Sequence, residues 1–296
     1  MGIRHRLFGW ESSDFNVYQD TFRKYGGSIN THPDVVRFFM GNSKSTFRFW
    51  HYKRNGEVIA AYFDDGSKNV GLNIWREYPV SYDEIVIPVA PGQKVVFPQK
   101  TNRLSSVHCG SILNANYSLR QKRKICLVRE SFSAKTARKR NSELRKFLST
   151  GGEIYKLNGM PAQDIADLYV HLFKLRFAGD VRCYDKNRIE EMLSALPHMV
   201  FGNALFYKGA PCAIDLVLCG ENEDNFYFDV PNGGLDPAFK EFSPGSLLMW
   251  KNISDARELC ESLNKKMVYS IGLYEKNWSY KLMWADAYPT GKALMF

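Results

Sequence analysis

The sequence predicts an α/β fold with mixed β-sheets arranged in two lobes, and three observations lead there. The chain has 296 residues, 45% of them hydrophobic, which is enough apolar material for two cores. Its second half alternates stretches of helical period with stretches of strand period, the order that lays helices onto a sheet. A hairpin also recurs: Asn55-Gly56 turns one in the first half and Lys208-Gly209 another in the second, an echo that points to two related lobes.

Taken in order, a weak helical pattern around Tyr18 to Phe22 ends at the Gly26-Gly27 break, and Asn30 or Thr31 with Pro33 marks the start of the next helix. "FRFWHYKRNGEVIAAYFDD" reads as a hairpin through its alternation, its Asn-Gly turn and its β-branched and aromatic return. "NVGLNIWRE" then continues the sheet, "YDEIVIPVAPG" adds a strand stopped by proline, Asn102 to Leu119 reads as helix, and "KICLVRE" as a short strand. In the second half "AQDIADLYVHLFKLRF" is a helix, and Lys186 to Leu196 is another. "MVFGNALFYKGAPCAIDLVLCG" forms two strands and "NFYFDV" the next. A helix from Leu247 to about Leu263, the strand "KMVYSIG", a short helix "NWSYKLMW" and a closing strand "GKALMF" complete the chain.

Forty Lys and Arg against 31 Asp and Glu leave a net charge of +9, which suits an anionic partner: nucleic acid, anionic lipid or a phosphorylated small molecule. The bias concentrates between the halves. Lys135, Arg138, Lys139, Arg140 and Arg145 fall on a helix that begins near Ser133, keeps an apolar stripe through Phe132, Ala137, Leu144, Phe147 and Leu148, and stops at Gly151-Gly152. The six cysteines are scattered without a CxxC pair, and His32, His51, His108, His171 and His198 lack ligand spacing. Buried thiols in a reducing compartment and no metal site are therefore expected. No apolar span reaches membrane length and the start lacks a signal-peptide core, so any membrane contact is expected to be peripheral.

"YGGSINTHPDVVRFF", "YDEIVIPVAP", "TNRLSSVH", "FDVPNGGLDP", "SPGSLLMW" and "SIGLYEKNWSYKLMW" resemble, in order and over essentially the whole chain, the Gram-negative antimicrobial-peptide resistance proteins named for a macrophage-induced gene. That resemblance implies a role in surviving cationic peptides and association with the cytoplasmic face of the inner membrane; the family has also been described as a transcriptional activator. The second half is similar to the peptidoglycan-branching aminoacyltransferases and their acetyltransferase-type relatives, through Phe226-Tyr227-Phe228, Pro244-Gly245, Ile271-Gly272 and Tyr280-Lys281 followed by Trp284. It implies tandem acetyltransferase-like lobes: residues 1 to 130, a basic bridging helix over 131 to 150, and 151 to 296. It also implies an acyl-CoA or aminoacyl-tRNA donor, although the usual phosphate loop of Arg or Gln followed by Gly-x-Gly/Ala is absent and "EFSPGS" stands in its place.

In a fold of that kind the central strands splay, and "NFYFDVPNGGLDPAFKEFSPGSLLMW" offers an opening at the splay. Asn232, Gly233 and Gly234 are expected to expose backbone N–H groups, and Ser243, Gly245 and Ser246 to open a helix whose free N–H groups favour an anionic donor. Asp215 and Asp229 interrupt apolar strands. Such acids face either solvent or a cleft, and here they are expected on one face of the sheet, with Asp229 as proton acceptor and Tyr280 as proton donor to the leaving group. Lys281 joins the basic helix residues as a contact for a phosphorylated or otherwise acidic partner. The acceptor is then a cell-envelope precursor or a cationic peptide, and the competing class is a non-catalytic binding protein on the same scaffold. Specific DNA reading fits poorly, because Asp255, Glu258 and Glu261 sit on the helix that would face phosphates.

Overall fold

The computed structural model describes residues 3–42, 46–66, 69–118 and 122–294. The first lobe opens with α1 (Ile3–Leu7), β1 (Trp10–Ser13), α2 (Phe15–Tyr25) and α3 (Pro33–Asn42), followed by β2 (Arg48–Arg54) and β3 (Glu57–Asp64). The Asp14 carboxylate caps α2 by accepting from the Val17 amide, and Gly26 ends it at φ 77°, a backbone angle that side chains resist. Strands β1, β2 and β3 form an antiparallel sheet through the expected Asn55-Gly56 hairpin.

From Asp65 the chain departs from the expected pattern. "NVGLNIWRE" leaves the sheet after a single bridge at Val70, and "YDEIVIPVAPG" makes only isolated bridges, Ile85 to Leu104 and Ala60 to Val89. The Asn102 to Leu119 stretch is not a helix: its described residues hold a 3-10 turn at Ser106–His108 and the short β4 (Ala115–Asn116). Side chains replace a ladder here. The Ile87 amide donates to His108 Nε2 at 3.0 Å, and Asn114 accepts from the Phe97 amide while donating to the Phe97 and Leu294 carbonyls.

The rest of the chain builds β5 (Lys124–Val128), α4 (Ala134–Ser149), β6 (Gly152–Lys156), α5 (Ala162–Phe177), α6 (Lys186–Ala195), β7 (Val200–Phe201) and β8 (Asn203–Tyr207). Then come β9 (Ala210–Glu221), β10 (Asn225–Leu235), α7 (Pro244–Ser262), β11 (Lys266–Leu273), β12 (Ala285–Pro289) and β13 (Lys292–Ala293). Their sheet runs β12-β5-β11-β10-β9-β8-β6, with β7 on β9, and its parallel pair is β10 with β11, joined by the α7 crossover. This is a mixed α/β sheet of the acetyltransferase kind. Strand β5, assigned by sequence to the first lobe, pairs with β11 and β12 inside this sheet. Consequently α4 joins two strands of one sheet and lies on the α7 side, where Trp250 Nε1 donates to Asn141 Oδ1 at 2.8 Å, rather than between the lobes. Tyr18 and Phe63 of the first lobe share a core with Leu172 and Leu216 of the second, and β13 returns to pair with β4.

Candidate functional site: a cleft where two strands part

The parallel strands β10 and β11 stay in register from Asn225 opposite Lys266 to Asp229 opposite Ser270. Beyond that, β10 follows β9 through a bulge between Asp229 and Asn232, while β11 follows β5. A cleft of about 700 Å³ opens at the fork, walled by residues 230–233 and 271–273, by Ser81 to Asp83 of the first lobe, by the C-terminal end of α5 and by residues 275–281. Ligands of open α/β sheets gather where neighbouring strands diverge, because the backbone there has lost one partner.

Arg76, Arg103, Arg123, Arg176, Arg182 and Lys281 all face this cleft, and none of them lies on the basic helix. Arg176 reaches the Gly233 carbonyl at 3.0 Å, Arg103 stacks on Tyr82 at 4.3 Å, and Arg123 pairs with Asp83 at 2.6 Å. Asp83 also accepts from the Leu273 amide at 3.2 Å. Gly272, at φ 77°, admits this arrangement: a Cβ there would stand 3.3 Å from Asp83 Oδ2 and 3.6 Å from Lys281 Nζ. Lys281 donates to the Leu273 carbonyl at 2.8 Å, and burial pulls its pKa below the usual lysine range despite the acids nearby.

Behind the cleft stands a wall of buried acids that the sequence reading missed in part. Asp229 is 4% exposed, lines neither cavity of the inter-lobe region, and has its pKa pushed up to about 8 by burial, then by Asp83 and Glu84, against a backbone hydrogen bond from Ser81 and the Lys281 charge. Glu84 is likewise 4% exposed; its Oε2 accepts from the Tyr227 hydroxyl at 2.7 Å, and burial raises its pKa against the pull of the Ser105 and Tyr227 hydroxyls. Glu84 does not face the cleft. It faces a second cavity of about 560 Å³ on the other side, toward the start of β10 and β11. Asp83 and Glu84, adjacent in the chain, thus open in opposite directions. Only their succession in "YDEIVIP" could have signalled this, since two acids ahead of an apolar run cannot both take the solvent side of an extended segment.

Of the residues expected at the site, the cleft gathers Asp215, Asn232, Gly233, Tyr280 and Lys281, with Asp229 behind them. Three expectations are corrected. Pro231 to Gly234 is not an open loop but part of β10, with Asn232, Gly233 and Gly234 opposite Leu216, Asp215 and Ile214. Their glycines are needed for packing. A Cβ on Gly233 would meet Asp215 Oδ1 at 2.2 Å, and one on Gly234 would meet the Leu172 and Phe173 backbone at 2.5 Å, so α5 presses directly on the strand. Asp215 and Asp229 occupy opposite faces of the sheet. Asp215 accepts from Asn252 of α7 at 3.2 Å, and burial raises its pKa to about 6 against Arg176 and Asn252, whereas Asp229 turns toward the first lobe. Ser243, Gly245 and Ser246 do not line the cleft; Ser243 starts α7 in the left-handed conformation, at φ 51°, and its carbonyl takes the Ser246 amide at 2.9 Å. The basic helix is remote from this site, and its Arg140 is committed to Glu143 at 2.8 Å and to the Trp284 ring at 4.9 Å.

The Mig-14 family model matches residues 32–293. The chain belongs to the Mig-14 family. Membership associates it with resistance to cationic antimicrobial peptides, and its fold is of the acetyltransferase kind. No curated protein matches it in sequence. Among solved structures it is similar to FemX, at 8% identity and a TM-score of 0.60 over 97% of each chain. It is also similar to L-PGS from Bacillus licheniformis, at 9% identity and 0.51 over 95% of this chain and 92% of that one. The C-terminal domain assigned as a lysylphosphatidylglycerol synthetase from Agrobacterium fabrum follows, at 12% and 0.50 over 95% and 92%. At such identities these likenesses establish the tandem acetyltransferase-like fold. Among the described residues no helix is long and apolar enough to cross a membrane.

Proposed function

We propose that the chain transfers an acyl or aminoacyl group from a phosphorylated donor to a cell-envelope precursor or a cationic peptide, and that peptide resistance follows from the product. The observation that carries this reading is the single cleft of about 700 Å³ at the fork of β10 and β11, which brings five arginines, Lys281 and Asp83 around one space where a donor and an acceptor can meet. The arginine-lined cleft suits the phosphates of an acyl-CoA or aminoacyl-tRNA donor, with Arg176 and Arg123 as their first contacts. An amine or hydroxyl attacks the donor carbonyl and the bond to the leaving group breaks. Asp229, set behind the cleft wall, takes the nucleophile's proton by way of one water, Lys281 balances the charge that develops, and Tyr280, 43% exposed at the lip, returns a proton to the leaving group. The names of the lysylphosphatidylglycerol synthetase and L-PGS structures, which share this fold, agree with aminoacyl chemistry on an envelope component.

A second reading, a non-catalytic binding protein at the inner membrane, draws on one observation: the Gly233 amide, expected as an exposed backbone donor, is taken by Asn232 Oδ1 at 2.9 Å and offers no ready oxyanion site. Mass comparison of lipid A, peptidoglycan and added peptide from cells with and without the gene separates the two. An added acyl or aminoacyl mass that disappears in the deletion and in Asp229→Asn supports transfer; unchanged masses in all three pools sink it.

A further inference from the structure

Four acids line the fork cleft alongside its arginines: Asp83, Asp180, Asp215 and Glu275. Asp83 is paired with Arg123, and Asp180 and Glu275 are exposed. Asp215 is half-buried and makes no ion pair among the described residues. It stands beside Arg176 without pairing to it: the guanidinium donates to the Gly233 carbonyl, and Asp215 Oδ1 sits over the Gly233 α-carbon, where a Cβ would come within 2.2 Å. A carboxylate at this point weakens the hold of an arginine-lined cleft on any ligand that is only anionic.

Side chains of α7 and β8 hold Asp215 from the far side. Asn252, fully buried, donates to its Oδ2 at 3.2 Å. Asn203, 1% exposed, donates to Asn252 Oδ1 at 2.9 Å and to Asp255 Oδ2 at 2.9 Å, and Lys251 pairs with Asp255. Two amides buried between sheet and helix cost stability that an apolar pair would spare, so their function is to support the acid at the end of the chain. They fix one oxygen of Asp215, while Oδ1 makes no hydrogen bond among the described residues. The Asn252 donor favours the ionised carboxyl, and with a pKa of about 6 the group carries its charge at neutral pH. A fixed carboxylate oxygen in the wall of a cleft suits a cationic hydrogen-bond donor on the ligand.

We infer that Asp215 Oδ1 receives a primary ammonium group of the ligand in this cleft, and that the group transferred therefore carries a free amine, an aminoacyl group rather than a plain acyl chain. This role rests on the transferase reading, which leaves the choice between those two open. With its phosphates at the arginines and its ammonium at Asp215, one donor satisfies both signs of charge in the cleft. Asp215 then sets specificity, and Asn252 is a positioning residue that acts through it.

The test is calorimetric titration of the intact chain with two unreactive donor analogues: an alanylamino-deoxyadenosine monophosphate, in which an amide replaces the labile ester, and its propionylamino counterpart, identical but for the amine. The alanyl analogue should bind at least roughly ten-fold more tightly, because a site built to bond a polar group rejects the analogue that lacks it. Asp215→Asn, nearly isosteric, should abolish that advantage, weakening the alanyl analogue roughly ten- to hundred-fold and leaving the propionyl analogue unchanged. Asn252→Ala should reduce the advantage in the same sense by several-fold, and it decides the matter if Asp215→Asn does not fold. A merely structural role for Asp215 would move both analogues together. Equal affinity of the wild type for the two analogues, binding of neither, or an equal loss for both in the variants overturns the inference. Failure of the transferase reading looks different: no added mass is found in any envelope or peptide pool, yet the alanyl analogue still outbinds its counterpart and loses that advantage in Asp215→Asn.

Discussion

The two cavities on either side of the Asp83-Glu84 wall are made from different material. The cleft is framed by regular strands that part, β10 and β11, and is lined by guanidinium groups; the second cavity is closed on the first-lobe side by irregular segments, with Phe22, Tyr25 and Tyr227 on its wall, Glu84 buried in it and the charges of Lys94, Lys266 and Glu221 outward. A mostly cationic site and a site with a single buried acid therefore stand back to back, with Asp229 coupled to both through Asp83 and Glu84. The difference teaches that one buried wall can present different electrostatics on its two sides. Each half of that contrast can be broken separately.

The largest effect should come from the partition itself. Asp229→Asn is nearly isosteric and should leave the fold intact while lowering kcat of transfer roughly 10²- to 10⁴-fold. Because the Asp229 pKa stands at about 8, a base at this position makes wild-type activity climb from pH 6 to about 8 and then level, and a flat profile removes it from that role. Stability gives an independent reading. Between the unfolded value of 3.8 and about 8 the folded carboxyl keeps a proton that the unfolded one has lost, so this group's contribution to stability falls as pH rises through that window. Asp229→Asn removes that slope, and its Tm relative to wild type should be higher at pH 9 than at pH 4. Equal differences at both pH values would show that the acid is ionised in the fold.

The next effect separates packing glycines from functional ones. Gly234→Ala places a Cβ against the backbone of Leu172 and Phe173 at 2.5 Å, where no side chain can yield, and should cost roughly 1–3 kcal/mol or somewhat more by overpacking. The measurement is the denaturation midpoint. A neutral substitution would mean that α5 sits farther from β10 than the structure has it.

Much of this could be read from the residues, and the reasons for the remainder are specific. The second lobe is legible because Asp185 caps α6, Ser133 caps α4, and the apolar runs of β8 and β9 on either side of Lys208-Gly209 are local information. The Asn102 to Leu119 stretch was misjudged because its fold is fixed by His108 and Asn114 bonding to distant backbone, which leaves no periodic trace. Pro-Asn-Gly-Gly has the composition of a turn and so predicts a loop, whereas the close approach of α5 that requires the glycines is tertiary. Asp229 was visible as an acid in an apolar strand, but that Asp215 faces the other way depends on a bulge that no single sequence declares. The cleft arginines come from five separate segments, so only the run on α4 stood out, and that run lies elsewhere.

On the cationic side, Arg176→Ala removes the guanidinium at the fork and should weaken binding of a phosphorylated donor roughly ten- to hundred-fold. Titration with the donor under constant salt measures it. Vesicle binding should remain unchanged, since Arg176 does not lie on α4. Unchanged donor affinity in this variant would remove Arg176 from the donor site.

The smallest effect concerns α4, whose charges face neither cavity. Lys135, Arg138 and Arg145 are exposed and make no ion pair among the described residues, while Lys139 makes only a loose one to Glu143 at 3.9 Å. Phe132, Leu144 and Phe147 bury the opposite side of the helix, so its basic face is presented outward. We expect this face to hold the protein on anionic membrane, each cation near such a surface contributing about 1 kcal/mol. Lys135→Ala with Arg138→Ala should then reduce binding to vesicles containing anionic lipid by roughly ten-fold or somewhat more at low salt, and by progressively less as salt screens the exposed charges. Folding and transfer to a soluble acceptor should stay unchanged. Vesicle binding that survives both the double substitution and a high-salt wash would assign the contact to another surface, and the exposed Trp278, Leu282 and Met283 beside the cleft would be the next to replace.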